Sequence, residues 1–177
     1  MNDERNVLIE LNQYVWSQIR KDLRDLEPQE IDWKPLPQAN NLNAIVRHLR
    51  IEAQWQLASI EHAEPILLEA TPPVQAFIDS ISLDFASNLA ELERLCTKFI
   101  AALCATSLSI MEERNRLVYE GFPGKAPPAH FLGYHHAVHL AMHWGQIRTL
   151  RNLYRTSRGQ PALFIPDNPT FPKPATW

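Results

Sequence analysis

His139 and His143 stand four residues apart in PPAHFLGYHHAVHLAMHWGQIRTLRNLYR (127–155), a stretch holding five of the chain's seven histidines. On a helix, residues at i and i+4 are neighbours with Cβ atoms about 5–6 Å apart, so both imidazoles can hold one divalent ion. The face they share also carries Leu132, His136, Leu140, Ile147, Leu150 and Tyr154. A bundle core supplies further ligands from a facing helix. His48 is the histidine that falls on the inner stripe of another helix, whereas His62 lies near that helix's end and His130 near the start of its own. Three histidines leave positions open for water or substrate. His136, one turn before His139 and Leu140, is the reserve ligand or a support behind the site. His135 is also four residues from His139 but lies beside the apolar stripe.

The neighbours of these residues carry weaker signals. Glu52, one turn after His48, fits a supporting or solvated carboxylate, with general base as the lesser option. Gln146 can hydrogen-bond close to His143, and Gly145 permits a helix to approach closely. Trp55 and Trp144 read as core or interface residues. Cys96 and Cys104, eight residues apart on one helix, have Cα atoms about 12 Å apart and cannot bridge. They read as buried thiols in a reducing compartment.

Four amphipathic helices must position these groups. The first spans Val7 to about Leu26, with Leu8, Leu11, Val15, Ile19 and Leu26 inward. Pro28 ends it, and EIDWKPLPQANN is a loop or short turn in which Trp33 plugs one end of the core. The second opens at Asn40 or Asn41 and runs to Glu61, with Leu42, Ile45, His48, Leu49, Glu52 and Trp55 or Gln56 inward. The third runs from Ser82, a candidate cap, to Ala105. Phe85, Leu89, Leu92, Cys96, Phe99 and Leu103 form its uninterrupted apolar stripe, and residues 73–80 before it have room for an extra turn. The fourth runs from Ala129 to Thr156, with Arg148, Arg151 and Arg155 suited to its carboxyl end and Gly159 beyond it. The fold class is all-α, a four-helix bundle over 1–156, with an irregular proline-rich tail over 157–177 extended on the same domain or on a dimer partner. Sequential and crossover topologies both fit.

The totals exclude several functions. At 177 residues the chain is one domain. Five glycines leave no phosphate-cradling loop, and a net charge of -3 gives no general reason to bind nucleic acid or anionic lipid. MNDERNVLIE contains no signal-peptide core. The stretch 126–147 lacks formal charge, but its histidines and prolines argue against a membrane span. The expected location is cytoplasmic.

Two segments together resemble the DinB/YfiT-like superfamily of metalloenzymes. HLAMHWGQI is similar to that family's last-helix signature. IDWKPLPQANNLNAIVRHLRIEAQW is similar to its Trp-x-Pro loop, Asn-rich cap and first metal-bearing helix. The resemblance covers the chain from the first helix to about Arg155. It implies a four-helix bundle, often a homodimer, with a divalent transition metal, zinc or nickel, on His48, His139 and His143. Where the family often has His-Arg-Gly-Gln, this chain has His143, Trp144, Gly145 and Gln146, which changes the surroundings of the metal but not its ligands. The implied activity is metal-dependent transfer of a low-molecular-weight thiol, such as bacillithiol or mycothiol, to a small-molecule substrate. The alternatives are a metal-dependent hydrolase and a non-catalytic, stress-associated metal-binding bundle.

Overall fold

Helices form where the apolar period is close to 3.6 and a side chain can cap the first turn. The computed structural model describes residues 4–61, 66–67, 81–106, 117–118 and 129–164. Its elements are α1 (Glu4–Asp22), α2 (Pro28–Asp32), α3 (Leu42–Glu61), β1 (Ile66–Leu67), α4 (Phe85–Ala105), β2 (Leu117–Val118) and α5 (Ala129–Ser157). The four long helices make the expected bundle. β1 and β2 form a two-residue parallel pairing, Ile66 opposite Leu117 and Leu67 opposite Val118. Residues 73–80, His62, the side chains of His130 and Leu132, and the chain beyond 164 lie outside the described residues.

The caps follow side-chain chemistry. Asn41 Oδ1 accepts from Ala44 N at 2.8 Å and opens α3. For α4 the cap is Asp84, whose carboxylate accepts from Ser87 N at 2.7 Å, and not Ser82. The Ser82 hydroxyl instead accepts from Asp84 N at 3.0 Å, so it shapes the approach to the helix. Gly159, at φ +71°, ends α5, with Gln160 N donating back to Arg155 O.

α1 stops at Asp22, short of Leu26. Asp25 takes a left-handed φ of +50°, and the Asp22 carbonyl accepts from Arg151 Nη1. Pro28 does not merely break a helix. It sits at the start of α2, where its missing N–H costs nothing. Trp33 is half-buried at the bundle end, edge-on to Tyr154 at 5.7 Å.

The core gathers Val15, Trp16 and Ile19 of α1, Ile45, Leu49 and Ile60 of α3, Leu92, Cys96, Phe99 and Leu103 of α4, and Leu140 and Ile147 of α5. Each large side chain fully withdrawn from water contributes about 1.5–3 kcal/mol. Leu11 is exposed rather than core, because Asn12 occupies the inward position and ties α1 to α5. On α4, Asn88 interrupts the apolar stripe; it is buried, accepting from Arg50 and donating to Ser82 O, each at 2.7 Å. Cys104 is exposed, one residue round the helix from buried Leu103, while Cys96 is buried.

α3 packs on α4 and α5, and α1 on α5 and α4, whereas the backbones of α1 and α3, and of α4 and α5, rarely come close among the described residues. Those two pairs are therefore diagonal, and the chain twice crosses the bundle instead of stepping to a neighbour. This arrangement lays α3 beside α5, and with them His48 beside His139 and His143.

Candidate metal centre

His139 and His143 meet because helical pitch stacks them, and His48 meets both because α3 runs against that face of α5. His48 Nε2 lies 3.1 Å from His139 Nε2, and His143 Nε2 lies 3.2 Å from the same atom. One nitrogen from each ring falls within 4.8 Å of the other two. Nitrogens on one tetrahedral zinc, each about 2.0–2.1 Å from it, lie roughly 3.3–3.4 Å apart, so two edges of this triangle already have the spacing of a shared ion.

All three rings are held neutral. Burial first, and then His143, His48 and His135, together lower the His139 pKa to about 3. Burial and then His143 lower His48, although that side chain keeps an exposed edge. Burial lowers His143 as well, against a smaller opposing effect of Gln146. His143 Nδ1 donates to Gln146 Oε1 at 2.8 Å, which leaves its Nε2 as a bare lone pair facing His139. If His139 Nε2 carries a proton, that single N–H can point at His143 or at His48 but not squarely at both. If it carries none, two lone pairs face each other. Protons alone cannot satisfy both contacts, whereas one cation between the rings satisfies all three nitrogens. The donor set therefore fits a divalent metal of the kind imidazole favours.

A cleft of about 270 Å³ opens before His48 and His143, walled by Asn40, Ala44, Ile45, Arg47 and Ile51. It shares Asn40 and Ile45 with a groove of about 540 Å³ along Met142, Gly145, Gln146 and Leu150. Among the described residues nothing lies within 4 Å of the place a Cβ on Gly145 would take, so it faces this groove and none of the described helices packs there.

The reserve residues go elsewhere. His136 is buried, stacked on Phe99 at 4.1 Å, and outside the converging group. Asn12 Nδ2 donates to Leu8 O and Gly133 O, so its Oδ1 must accept, and His136 Nδ1 donates to it at 2.8 Å. Burial first, and then His139 and His135, lower the His136 pKa to about 3, and its Nε2 has no hydrogen-bond partner among the described residues. His135 stacks on His139 at 5.9 Å. Glu52 is half-buried with its carboxyl pKa raised by burial; Gln56 donates to it at 3.5 Å, and it is not on the wall of the cleft.

Sequence reasoning missed a second cluster one turn further along α5. Buried Asp22 accepts from Trp144 Nε1 and, at 2.6 Å, from Arg148 Nε. Arg151 is no solvated helix-end charge. It is buried and paired at 2.7 Å with buried Glu30. Arg148 and Arg151 also flank Phe164, at 4.7 and 5.8 Å from its ring. Pro28 at the head of a short helix was the available signal for Glu30, but nothing local paired it with an arginine 121 positions away.

A sequence model of the Mycothiol-S-transferase family matches residues 8–156. No curated protein matches the chain. Among solved structures the chain is similar to YfiT from Bacillus subtilis, described as a probable metal-dependent hydrolase with an unusual four-helix bundle topology. The TM-score is 0.66 at 16% identity, covering 90% of each chain. At that identity the likeness shows the four-helix fold.

Proposed function

The chain belongs to the Mycothiol-S-transferase family, and from that premise we propose that it conjugates a low-molecular-weight thiol to an electrophilic small molecule, using a divalent metal on His48, His139 and His143. The observation that carries the reading is the convergence of three neutral imidazole nitrogens at the floor of an open cleft. When bound, a zinc or nickel ion supplies Lewis acidity that lowers the pKa of a thiol or water in its remaining position.

The chain's own residues do the rest. Each histidine presents Nε2. Gln146 fixes the His143 tautomer and ring plane by holding the Nδ1 proton. Packed Ile45 and Ile51 keep one wall of the cleft dry, which strengthens any charge interaction made there. Three protein ligands rather than four favour reactivity over a purely structural site. The description of the YfiT structure supports a metal-dependent hydrolase as the second reading. A non-catalytic metal-stabilised bundle is the third. A homodimer is also proposed. Val138, Met142 and Leu153 leave an exposed apolar stripe on α5 for a second copy to cover.

The test compares purified wild type with His139→Ala. Wild type is expected to carry about one metal per chain and the variant almost none; equal contents would sink the ligand assignment. Metal-loaded and chelated protein are then supplied with mycothiol or bacillithiol and an alkyl halide, following loss of free thiol. Metal-dependent thiol consumption supports the transferase. Metal-dependent ester cleavage without thiol supports the hydrolase, and a metal-raised melting temperature with neither activity supports the scaffold.

A further inference from the structure

The groove of about 540 Å³ beside the metal centre carries no charge of its own. Among the described residues its walls include Ile45, Met142, Leu150 and Leu153 and no ionisable side chain. By contrast, a cleft of about 400 Å³ is bounded by Asp32, Lys34 and Arg47, and one of about 300 Å³ by Lys21, Asp22 and Arg24. Two polar side chains of the groove are already engaged. Thr149 donates to Gly145 O at 3.0 Å, and Gln146 accepts from His143. A concavity of this size and lining suits a mostly apolar small molecule.

Position decides which molecule. The groove shares Asn40 and Ile45 with the cleft before His48 and His143. One end therefore opens at the imidazoles, and the other runs along α5 to Leu153, about 15 Å from His143. Buried Ile45 and half-buried Leu150 form the floor, while exposed Met142 and Leu153 form the rim. Gly145 lies on the wall between them. Glycine is unfavourable inside a helix, and nothing among the described residues packs within 4 Å of its missing Cβ. What the absent side chain leaves is open groove. Resting on the proposed thiol transfer, we infer that this groove holds the apolar body of the electrophile and that Gly145 sets how long that body can be. The reacting carbon lies at the histidine end. Sulfur bonds to that carbon as its bond to a halide breaks, the halide departs with the electron pair, and the thiol proton passes to solvent.

The experiment gives zinc-loaded full-length protein mycothiol with 1-bromopropane or 1-bromohexane, which share one reacting centre and differ by three methylenes. Wild type is expected to show a KM about tenfold lower for the hexyl halide, within what burying three methylenes supplies. It should also bind the uncharged, unreactive probe N-phenyl-1-naphthylamine, read by fluorescence without thiol. Gly145→Leu should bring the KM ratio to about one and weaken the probe about tenfold. Its metal content should match wild type and its melting temperature be equal or higher. No chain-length preference in wild type, or an undiminished preference in Gly145→Leu, overturns the inference and leaves the transferase reading standing. If neither bromide consumes thiol, the transferase reading fails on its own and the probe decides the groove. Binding about tenfold weaker in Gly145→Leu then keeps an apolar ligand there, and unchanged or absent binding ends it. Conversion of a ligand-free wild-type dimer to monomer by Gly145→Leu on a sizing column would mean that a second copy fills the groove, and the inference falls.

Discussion

Two polar clusters lie along α5, and they differ in how completely they are satisfied. At His139 and His143, with His48 across the groove, three imidazole nitrogens face one another with no arrangement of protons that suits them all. At Arg148 and Arg151, each guanidinium has a carboxylate, and Trp144 and the Asp22 carbonyl complete the set. A buried polar group without a partner is costly, so a fold keeps an unsatisfied cluster only where something else completes it. The second cluster closes on itself and locks α1 and α2 to α5. The first is open and faces a cleft. The same helix thus serves adhesion in one place and ligand capture in the other.

The largest effect should come from breaking the closed cluster. Glu30→Ala strands the buried Arg151 guanidinium, and removing one member of a buried pair costs about 3–5 kcal/mol. Urea denaturation should show that loss while metal content per folded chain stays as in wild type; a cost near zero would mean the pair does not hold the helices together. A smaller effect follows from loosening the open cluster. Gln146→Leu removes the acceptor that fixes His143 and should weaken metal affinity about 10–100-fold. The metal-free protein should change by about 0.5 kcal/mol or less, since Gln146 is exposed. Competition with a chromophoric chelator measures this, and unchanged affinity would show that the Gln146 contact does not orient the ring.

The most gradual effect is one of acidity and concerns the neutral imidazoles. His136 has a folded pKa of about 3 against an ordinary value of 6.5. The unfolded chain therefore binds a proton that the folded chain refuses, so the contribution of neutral His136 is complete above pH 6.5 and is lost as pH falls towards 3. In chelator the unfolding free energy should drop on acidification through that window, with a slope of up to about 1.4 kcal/mol per pH unit for each such proton. A flat profile would remove the buried, neutral assignment.

Much of this was legible locally. The four long helices follow from apolar spacing and from Asn41 and Gly159 at their ends. The His139 and His143 pair follows from pitch. Local reading failed where a polar residue took an inward position for the sake of a distant partner. Asn12 displaced Leu11 from the core because it bonds Gly133 O, and Asn88 entered the α4 stripe because it serves Arg50 and Ser82. The cap moved from Ser82 to Asp84 because the backbone path brings Asp84 Oδ2 to Ser87 N and leaves Ser82 Oγ to accept from Asp84 N.

The sequence alone determined which stretches are helical, which faces are apolar, and that two imidazoles share one turn of α5, because these depend on contacts three or four residues apart. Tertiary structure decided that α1 and α3 lie diagonally and α3 beside α5, that His136 goes to Asn12 while His48 approaches His139, and that Arg151 goes to Glu30. Those outcomes depend on pairings across up to 129 positions, where no periodicity reaches and only the simultaneous packing of all four helices selects which polar groups meet.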